Sequence, residues 1–573
     1  MTIDRDGLTL FDRIYTPERA ARVAVVFEHR DISYEELRQA TLRAAEKLSA
    51  LGINHSERVA ILLNDSTEFV ASFVAIVSLG AIAVPINMAL RKEEQLFILK
   101  DCGARALIIE AGAVDTLLTA DGDGCASLKD LPALKDSLVV YRQESNPIQI
   151  PRVRSQPFAE LSLSYFPSPM GEGQGRGPDT LLTTLPLNPL PSGEGRAIEC
   201  QPLPEQFPVR GKADAAAFIL YTSGSTGEPK GAVHRQADIF YTNETYCSEV
   251  LRLREGDRLF SSSRLPFAYG LGNSFTFPLL NGFTTILCRE KPSAEVIAWV
   301  FHDYHPTIFF GVPVVYRMLL EHHRHGDPLD TSSLRLCVSA GEALPARLGE
   351  EWHKTFSVEV LDGIGSTEML HMFMSNHEGD VRYGSSGKLL RGYEARLIDH
   401  EDNATPQGEV GNLWIRSHSA AVGYWQRRET TAQTFVDGWV RTGDLYRQDK
   451  EDFWWHMGRT DDCFKPTGQW VSPVEVEGVL LRNEKVRAAA VVEGFDQDGL
   501  SYVCAFVVRR DEASLAMKVE DELRALCEDL LPRFKQPRHY IFVSELPYTA
   551  TGKVQRFKLR EQLCQPAKRA KCQ

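Results

Sequence analysis

The sequence predicts an α/β plus α+β chain: a large multi-sheet N-terminal domain, residues 1–460, and a small C-terminal domain, residues 461–573. Three observations carry this. Helical and strand-like segments alternate in the first part of the chain, the rhythm of sheets covered by helices. The C-terminal end has strand signals of its own. The 573 residues, 43% apolar and 25% charged, suit one large folded body with something smaller attached.

Taken in order, Tyr34 to Leu51 places apolar residues at helical spacing, Gly52 stops it, and Arg58 to Leu63 follows as a strand. Phe69 to Leu90 carries no charge and has the length of a bilayer span, which takes about 20 apolar residues. Ser72, Ser78, Gly80, Pro85 and Asn87 interrupt it, so it reads as a buried helix, Phe69 to Leu79, and a strand, Ala81 to Ile86. Leu96 to Leu99 and Ala106 to Ile109 continue the alternation. The pattern breaks over 162–203, which is rich in Pro, Gly and Ser and holds an approximate duplication, Pro167 to Arg176 echoed by Pro189 to Arg196. Too few apolar residues remain there for a core, which predicts a flexible surface insertion without chemistry. Order returns with Ala213 to Tyr221. Beyond Gly458, Ala488 to Val492 and Tyr502 to Val508 read as strands, and a charged helix runs from about Val519 to Leu530.

Charge and cysteine usage exclude several classes. With 64 basic and 77 acidic residues the net charge is −13, and the basic residues cluster only at Lys568, Arg569 and Lys571, so no nucleic-acid partner is expected. Eleven cysteines, none in a C-x-x-C pair, point to free thiols in a reducing cytoplasm and not to a disulfide framework or zinc site. Met1 to Thr16 carries Asp4, Asp6 and Asp12 without an apolar run, unlike a signal peptide. No membrane partner is expected, and nothing in the sequence speaks to an oligomeric state.

The strongest local signal is Tyr221 to Gly231, YTSGSTGEPKG. Thr222, Ser223, Ser225 and Thr226 supply hydroxyls, Gly224 and Gly227 let the backbone close on an anion, and Lys230 adds positive charge. Apolar residues flank it on both sides: Phe218, Ile219 and Leu220 before, Ala232 and Val233 after. A Walker A loop needs G-x-x-x-x-G-K-[ST] opening a helix. Here the lysine follows a proline and precedes Gly231, so that assignment fails on spacing.

This undecapeptide resembles the phosphate-binding signature of the adenylate-forming (AMP-dependent) synthetase/ligase superfamily. Further matches follow in the family's order: Gly363 to Glu368, Arg441 to Asp444, Gly458 to Asp462 and Leu546 to Arg556. Each alone is weak, since an isolated aspartate or lysine is more often a turn or surface residue. Five in order over nearly the whole chain, the insertion apart, are specific. The resemblance implies an acyl-CoA synthetase-like fold with a mobile C-terminal domain, and ATP, Mg²⁺ and coenzyme A as reactants. It implies that Thr367 meets the α-phosphate, Glu368 the Mg²⁺, Asp444 and Arg459 the ribose, and that Asp461 is the hinge. Gly341, Glu342, Ala343 and Asp362 fall to the adenine side, Gly468 to the thiol tunnel and Lys553 to catalysis. Pro466 departs from the flexible apolar residue usual beside that tunnel.

The segments Pro266 to Gly272, Ser339 to Leu344 and Asp362 to His371 resemble benzoate and hydroxybenzoate CoA ligases more than fatty-acyl enzymes. That likeness places Ala268, Tyr269, Ala340, Ile364 and His371 around an aromatic acid, with the choice among benzoate, hydroxybenzoate and aminobenzoate left open. It implies an acid–thiol ligase releasing AMP and pyrophosphate. Two alternatives stay open: an enzyme loading an aryl acid onto a carrier protein, and a non-catalytic nucleotide-binding sensor of aromatic acids. The spacing from Pro547 to Lys553 also matches lysines that bacterial acetyltransferases modify in relatives, which makes such an enzyme an expected partner.

Overall fold

The computed structural model describes residues 9–110, 113, 117, 139–141, 155–157, 214–223, 228–326, 328–399, 401–464, 466, 469, 471–496, 499–510, 516–548 and 554–563. The insertion at 162–203 lies outside the described residues.

Local signals place the first helices. Ser33 caps Tyr34–Ala50 in a reciprocal box with Glu36, and Ser66 caps Thr67–Ser78 through the Phe69 N–H. All twelve residues of Thr67–Ser78 are buried, and the strand Ile82–Pro85 that follows is buried at every position. The uncharged stretch is therefore an interior helix–strand unit, and no helix among the described residues is long and apolar enough to cross a membrane.

Two large sheets dominate the N-terminal part. Across the eight-stranded sheet lie Gly423–Tyr424, Pro229–Arg235, Ala216–Ser223, Ile82–Pro85, Arg58–Leu62, Ala106–Ile109, Val139–Tyr141 and Ser155–Pro157. It is parallel from Ala216–Ser223 to its far edge, and antiparallel on the side of Pro229–Arg235 and Gly423–Tyr424. The nine-stranded sheet runs Lys388–Leu389, Met372–Ser375, Val360–Gly365, Leu336–Ser339, Ile308–Gly311, Arg258–Ser261, Thr284–Ile286, Val23–Phe27 and Arg30–Ser33. The helices Tyr34–Ala50 and Thr67–Ser78 belong to the core joining them. Phe73 sits 5.5 Å from Phe218 of one sheet and 5.3 Å from Phe275 on the side of the other.

A five-stranded sheet of Glu394–Ile398, Gly411–Arg416, Trp439–Gln448, Phe435–Val436 and Trp454–Arg459 follows. The smaller C-terminal part has its own sheet, Val486–Phe495, Ser501–Arg509 and His539–Phe542. The helix Ala516–Leu530 lays Val519, Leu523 and Cys527, at four-residue spacing, against it. The described cysteines are free thiols, as their spacing predicts.

Candidate functional site

The antiparallel pair Ala216–Ser223 and Pro229–Arg235 sets Thr222 opposite Lys230 and Ser223 opposite Pro229. A Cβ on Gly231 would fall 2.6 Å from Ile219 Cγ2 and 3.0 Å from the Tyr221 ring, so only glycine lets the two strands close here. The root of this hairpin is clamped to the end of helix Lys92–Cys102. The Tyr221 hydroxyl donates to the Asp101 carboxylate at 2.7 Å, the Arg427 guanidinium donates to it at 2.7 Å, and the Trp425 indole N–H donates to the Asp101 carbonyl at 3.1 Å.

The strand Val360–Gly365 ends where Ser366 caps a short 3₁₀ turn, Thr367–Met369, and this turn presents Thr367 and Glu368. Two links join it to the hairpin. His234 of Pro229–Arg235, fully buried, reaches the Thr367 carbonyl with Nε2 at 2.8 Å, while Nδ1 faces Asp238 at 3.0 Å. Tyr424, on the edge strand beside the hairpin, donates its hydroxyl to Glu368 at 2.7 Å, and the Lys230 ammonium lies 5.8 Å from its ring centre. Lys230 and the neighbouring pair Thr367 and Glu368, far from it in sequence, are thereby gathered at one place.

Asp444 and Arg459 face each other on neighbouring antiparallel strands, with a guanidinium nitrogen 3.3 Å from the carboxylate. His456 Nε2 stands 3.5 Å from the same oxygen. The charge of Asp444, ahead of the cost of burial, holds the Arg459 guanidinium above its ordinary range. Gly341 leaves the strand Leu336–Ser339 with φ +91°, a conformation only glycine takes easily, and begins the turn of Glu342 and Ala343. Asp362, directly across from Ser339 on the next strand, pins the far end of that turn by accepting the Leu344 N–H at 3.1 Å. Asp362 is buried, its other carboxylate oxygen has no partner among the described residues, and burial pushes its pKa up to about 8.

Asp461 is exposed, and the neighbouring Asp462 is held at 3.6 Å by Arg556 and at 3.3 Å by Arg560. Arg556 also makes a two-pronged pair with Glu477, both contacts at 2.9 Å.

Ala268 and His371 line a narrow crevice, too tight for a water molecule, together with Ile239, Thr242, Leu271, Gly272, Thr276 and Leu370. Tyr269, Ala340 and Ile364 belong to the adjoining apolar cluster. The Tyr269 ring stacks 5.8 Å from His371, and its hydroxyl donates to the Val338 carbonyl at 3.1 Å. His371 also meets Tyr246 and Phe277, each at 4.7 Å, and a Cβ on Gly272 would come within 2.6 Å of its ring. Burial drives the His371 imidazole down to about 3, so it is neutral at physiological pH.

The Ser223 side chain, Gly224, Ser225, Thr226, Gly227, Gly468 and Lys553 lie outside the described residues. Asp101, His234 and Tyr424 escaped the sequence reading. A lone buried histidine or tyrosine on a strand looks like core, and only the fold shows that these three tie the hairpin to its surroundings.

The family model described as AMP-binding enzyme matches residues 15–425, and that of the AMP-binding enzyme C-terminal domain matches residues 475–553. Benzoate–CoA ligase of Thauera aromatica is 36% identical over 548 residues, 95% of this chain and 93% of that one. A 4-hydroxybenzoate–CoA/benzoate–CoA ligase of Rhodopseudomonas palustris is 32% identical, covering 96% and 92%. Among solved structures, the anthranilate CoA ligase AuaEII in complex with anthranoyl-AMP superposes with TM-score 0.82 at 34% identity, covering 97% of each chain. A benzoate CoA ligase from Burkholderia xenovorans LB400 gives 0.79 at 34% identity, covering 96% and 100%.

Proposed function

The chain belongs to the AMP-binding enzyme family, and from that premise we propose that it joins an aromatic carboxylic acid to coenzyme A, with ATP as the activating substrate. In the first step a carboxylate oxygen attacks the α-phosphorus of ATP, the bond to pyrophosphate breaks, and an acyl-adenylate forms. In the second the sulfur of coenzyme A attacks the acyl carbon, its proton is lost, and AMP leaves. The family fold and the relatives that cover almost the whole chain support this reading.

The first step brings two anions together, so the help it needs is electrostatic. Lys230 and the hydroxyls and glycines of 222–227 receive the terminal phosphates. Thr367 meets the α-phosphate, and Lys553 sits between it and the carboxylate. Asp444, with Arg459 holding its carboxylate, accepts the ribose hydroxyls. Gly341, Glu342 and Ala343, braced by Asp362, flank the base, while Ala268, Tyr269, Ala340, Ile364 and His371 enclose the aromatic ring.

Glu368 suits Mg²⁺. Tyr424 occupies one of its carboxylate oxygens and leaves the other available. No cluster of three or more protein ligands occurs among the described residues. A single carboxylate plus substrate phosphates is the usual magnesium arrangement. The ion, when bound, offsets the charge that builds on the phosphate oxygens.

The domain boundary is placed at 460/461, with Asp461 as the hinge. That assignment draws on its exposure and on the grip of Arg556 and Arg560 on the next residue. Gly468 serves the thiol step. The free thiols suit the cytoplasm, and acetylation of Lys553 by a protein acetyltransferase would remove the charge that adenylation needs.

One observation carries the site assignment: Lys230, Thr367 and Glu368 converge through His234 and Tyr424. The test is AMP release from ATP and Mg²⁺ with coenzyme A across benzoates, cinnamates and short fatty acids. Coenzyme A-dependent release with aryl acids is expected. Pyrophosphate release without any dependence on coenzyme A would move the acceptor to a carrier protein.

A further inference from the structure

One arginine anchors the segment that leads to Ala268 and Tyr269. Arg264 lies between the strand Arg258–Ser261 and the short helix Ala268–Leu271. Its guanidinium crosses to the chain that follows Thr284–Ile286, the neighbouring parallel strand. There it donates to three successive carbonyls: Cys288 at 2.6 Å, Arg289 at 2.9 Å and Glu290 at 2.5 Å. The same guanidinium stands 3.6 Å from the Asp65 carboxylate, and the two side chains are only 20% and 6% exposed. Asp65 belongs to the chain leaving the other large sheet. It follows Arg58–Leu62, precedes the Ser66 cap of Thr67–Ser78, and accepts the Leu265 N–H at 3.0 Å.

The Arg264 backbone is also the floor on which that helix rests. A Cβ on Gly270 would collide with the Arg264 and Ser263 carbonyls, so the helix sits directly on them. The Arg264 carbonyl accepts the Phe267 N–H at 3.1 Å, and the Phe267 carbonyl accepts the Leu271 N–H at 2.8 Å. Immediately beyond the helix, Gly272 is pressed against the His371 ring. Ala268 and Tyr269 therefore have little slack, and a shift of Arg264 carries them with it.

We propose that Arg264, held by Asp65, is a positioning residue for the acid half of the reaction: it sets where Ala268 and Tyr269 stand against the aromatic ring. This rests on the aryl-acid ligation proposed above. The shape of the guanidinium carries the argument. Its planar fork serves three carbonyls and faces a carboxylate at once, which a lysine ammonium, with a single nitrogen, cannot do. Lys230, Asp444 and Arg459 stand on other strands, so the effect falls on the acid and not on ATP. A displacement of about 1 Å at a substrate-positioning group can cost about 10²-fold in rate.

The experiment measures ATP–pyrophosphate exchange in wild type, Arg264→Lys and Asp65→Asn, with benzoate and its para-methyl analogue as acids. KM is taken separately for the acid and for ATP. Arg264→Lys keeps the charge beside Asp65 and loses the fork. It is expected to raise KM for benzoate about tenfold or more and to leave KM for ATP within about twofold. The ratio of kcat/KM between the two acids is expected to shift about tenfold, the discrimination that one methyl group carries. Asp65→Asn keeps an acceptor for the Leu265 N–H and removes the charge, so it should move the same quantities in the same direction by less. A purely structural bridge would lower Tm without splitting the two KM values. An unchanged acid KM and ratio in folded Arg264→Lys, or KM values for acid and ATP that rise together, overturn the proposal. Should Arg264→Lys not fold, the same comparison in Asp65→Asn decides. Wild type without exchange on any aryl acid strikes the ligation reading and the positioning role with it, whereas wild-type exchange beside unsplit KM values strikes the positioning role alone.

Discussion

Tyr424 donates its hydroxyl hydrogen to Glu368 at 2.7 Å, and this bond ties the edge strand beside Pro229–Arg235 to the turn that carries Thr367. The same ring underlies Lys230, so one side chain orients both charges of the site. Tyr424→Phe keeps the ring and removes the donor. A hydrogen bond to a charged group contributes about 1.5–3 kcal/mol, so adenylation should slow by roughly ten- to a hundredfold. ATP–pyrophosphate exchange measures this, and a wild-type rate would mean that Tyr424 only packs.

Lys553→Ala should separate the two chemical steps. Losing one preorganised cation at the α-phosphate costs about 3–4 kcal/mol, a hundred- to a thousandfold in rate. Thioester formation from a supplied aroyl-adenylate and coenzyme A needs no such charge and should stay near wild type. Equal losses in both half-reactions would remove Lys553 from its assigned role.

Much of this was legible because it is local. The glycine–hydroxyl loop, the strands at its sides and the buried helix from Phe69 all follow from patterns within a few residues. The clustering of Lys230, Thr367 and Glu368 was reachable only by resemblance, since 138 positions separate Lys230 from Glu368. Asp101, His234 and Tyr424 were not legible at all. Their contacts cross from one sheet or helix to another, and no periodicity encodes such a crossing.

Asp362 makes stability depend on pH with a definite sign. Its pKa stands near 8 in the folded chain against 3.8 for the ordinary carboxyl, because burial penalises the charged form. Between those values the folded state holds a proton that the unfolded state has lost. Stability from this group is therefore full below about pH 4 and declines as pH rises to 8. Asp362→Asn retains an acceptor for the Leu344 N–H and cannot ionise. Its Tm should fall less than that of wild type between pH 5 and about 8, as read by thermal melts across the series. Parallel curves for the two proteins would show that Asp362 is already charged when folded.

Arg556 provides the last test, because it joins Asp462 to Glu477 of the helix Pro473–Leu480. Its guanidinium bridges Glu477 at 2.9 Å and Asp462 at 3.6 Å, and the side chains of Arg556 and Glu477 are only 17% and 11% exposed. Glu477 meanwhile accepts the Val491 N–H at 2.7 Å, anchoring helix Pro473–Leu480 to the C-terminal sheet. Arg556→Ala would leave Glu477 buried without its cation, a change that costs about 3–5 kcal/mol when a buried pair is broken from one side. The loss should fall on the C-terminal part, so a lower-temperature transition should separate from the main melt. The double change Arg556→Met with Glu477→Gln removes both charges, keeps an acceptor for the Val491 N–H, and should recover much of that stability, since no buried charge is left unpaired. Adenylation should stay impaired in both variants, because Arg556 lies three residues beyond Lys553 and the methionine cannot hold Asp462. Full recovery of pyrophosphate exchange in the double variant would reduce Arg556 to a folding residue.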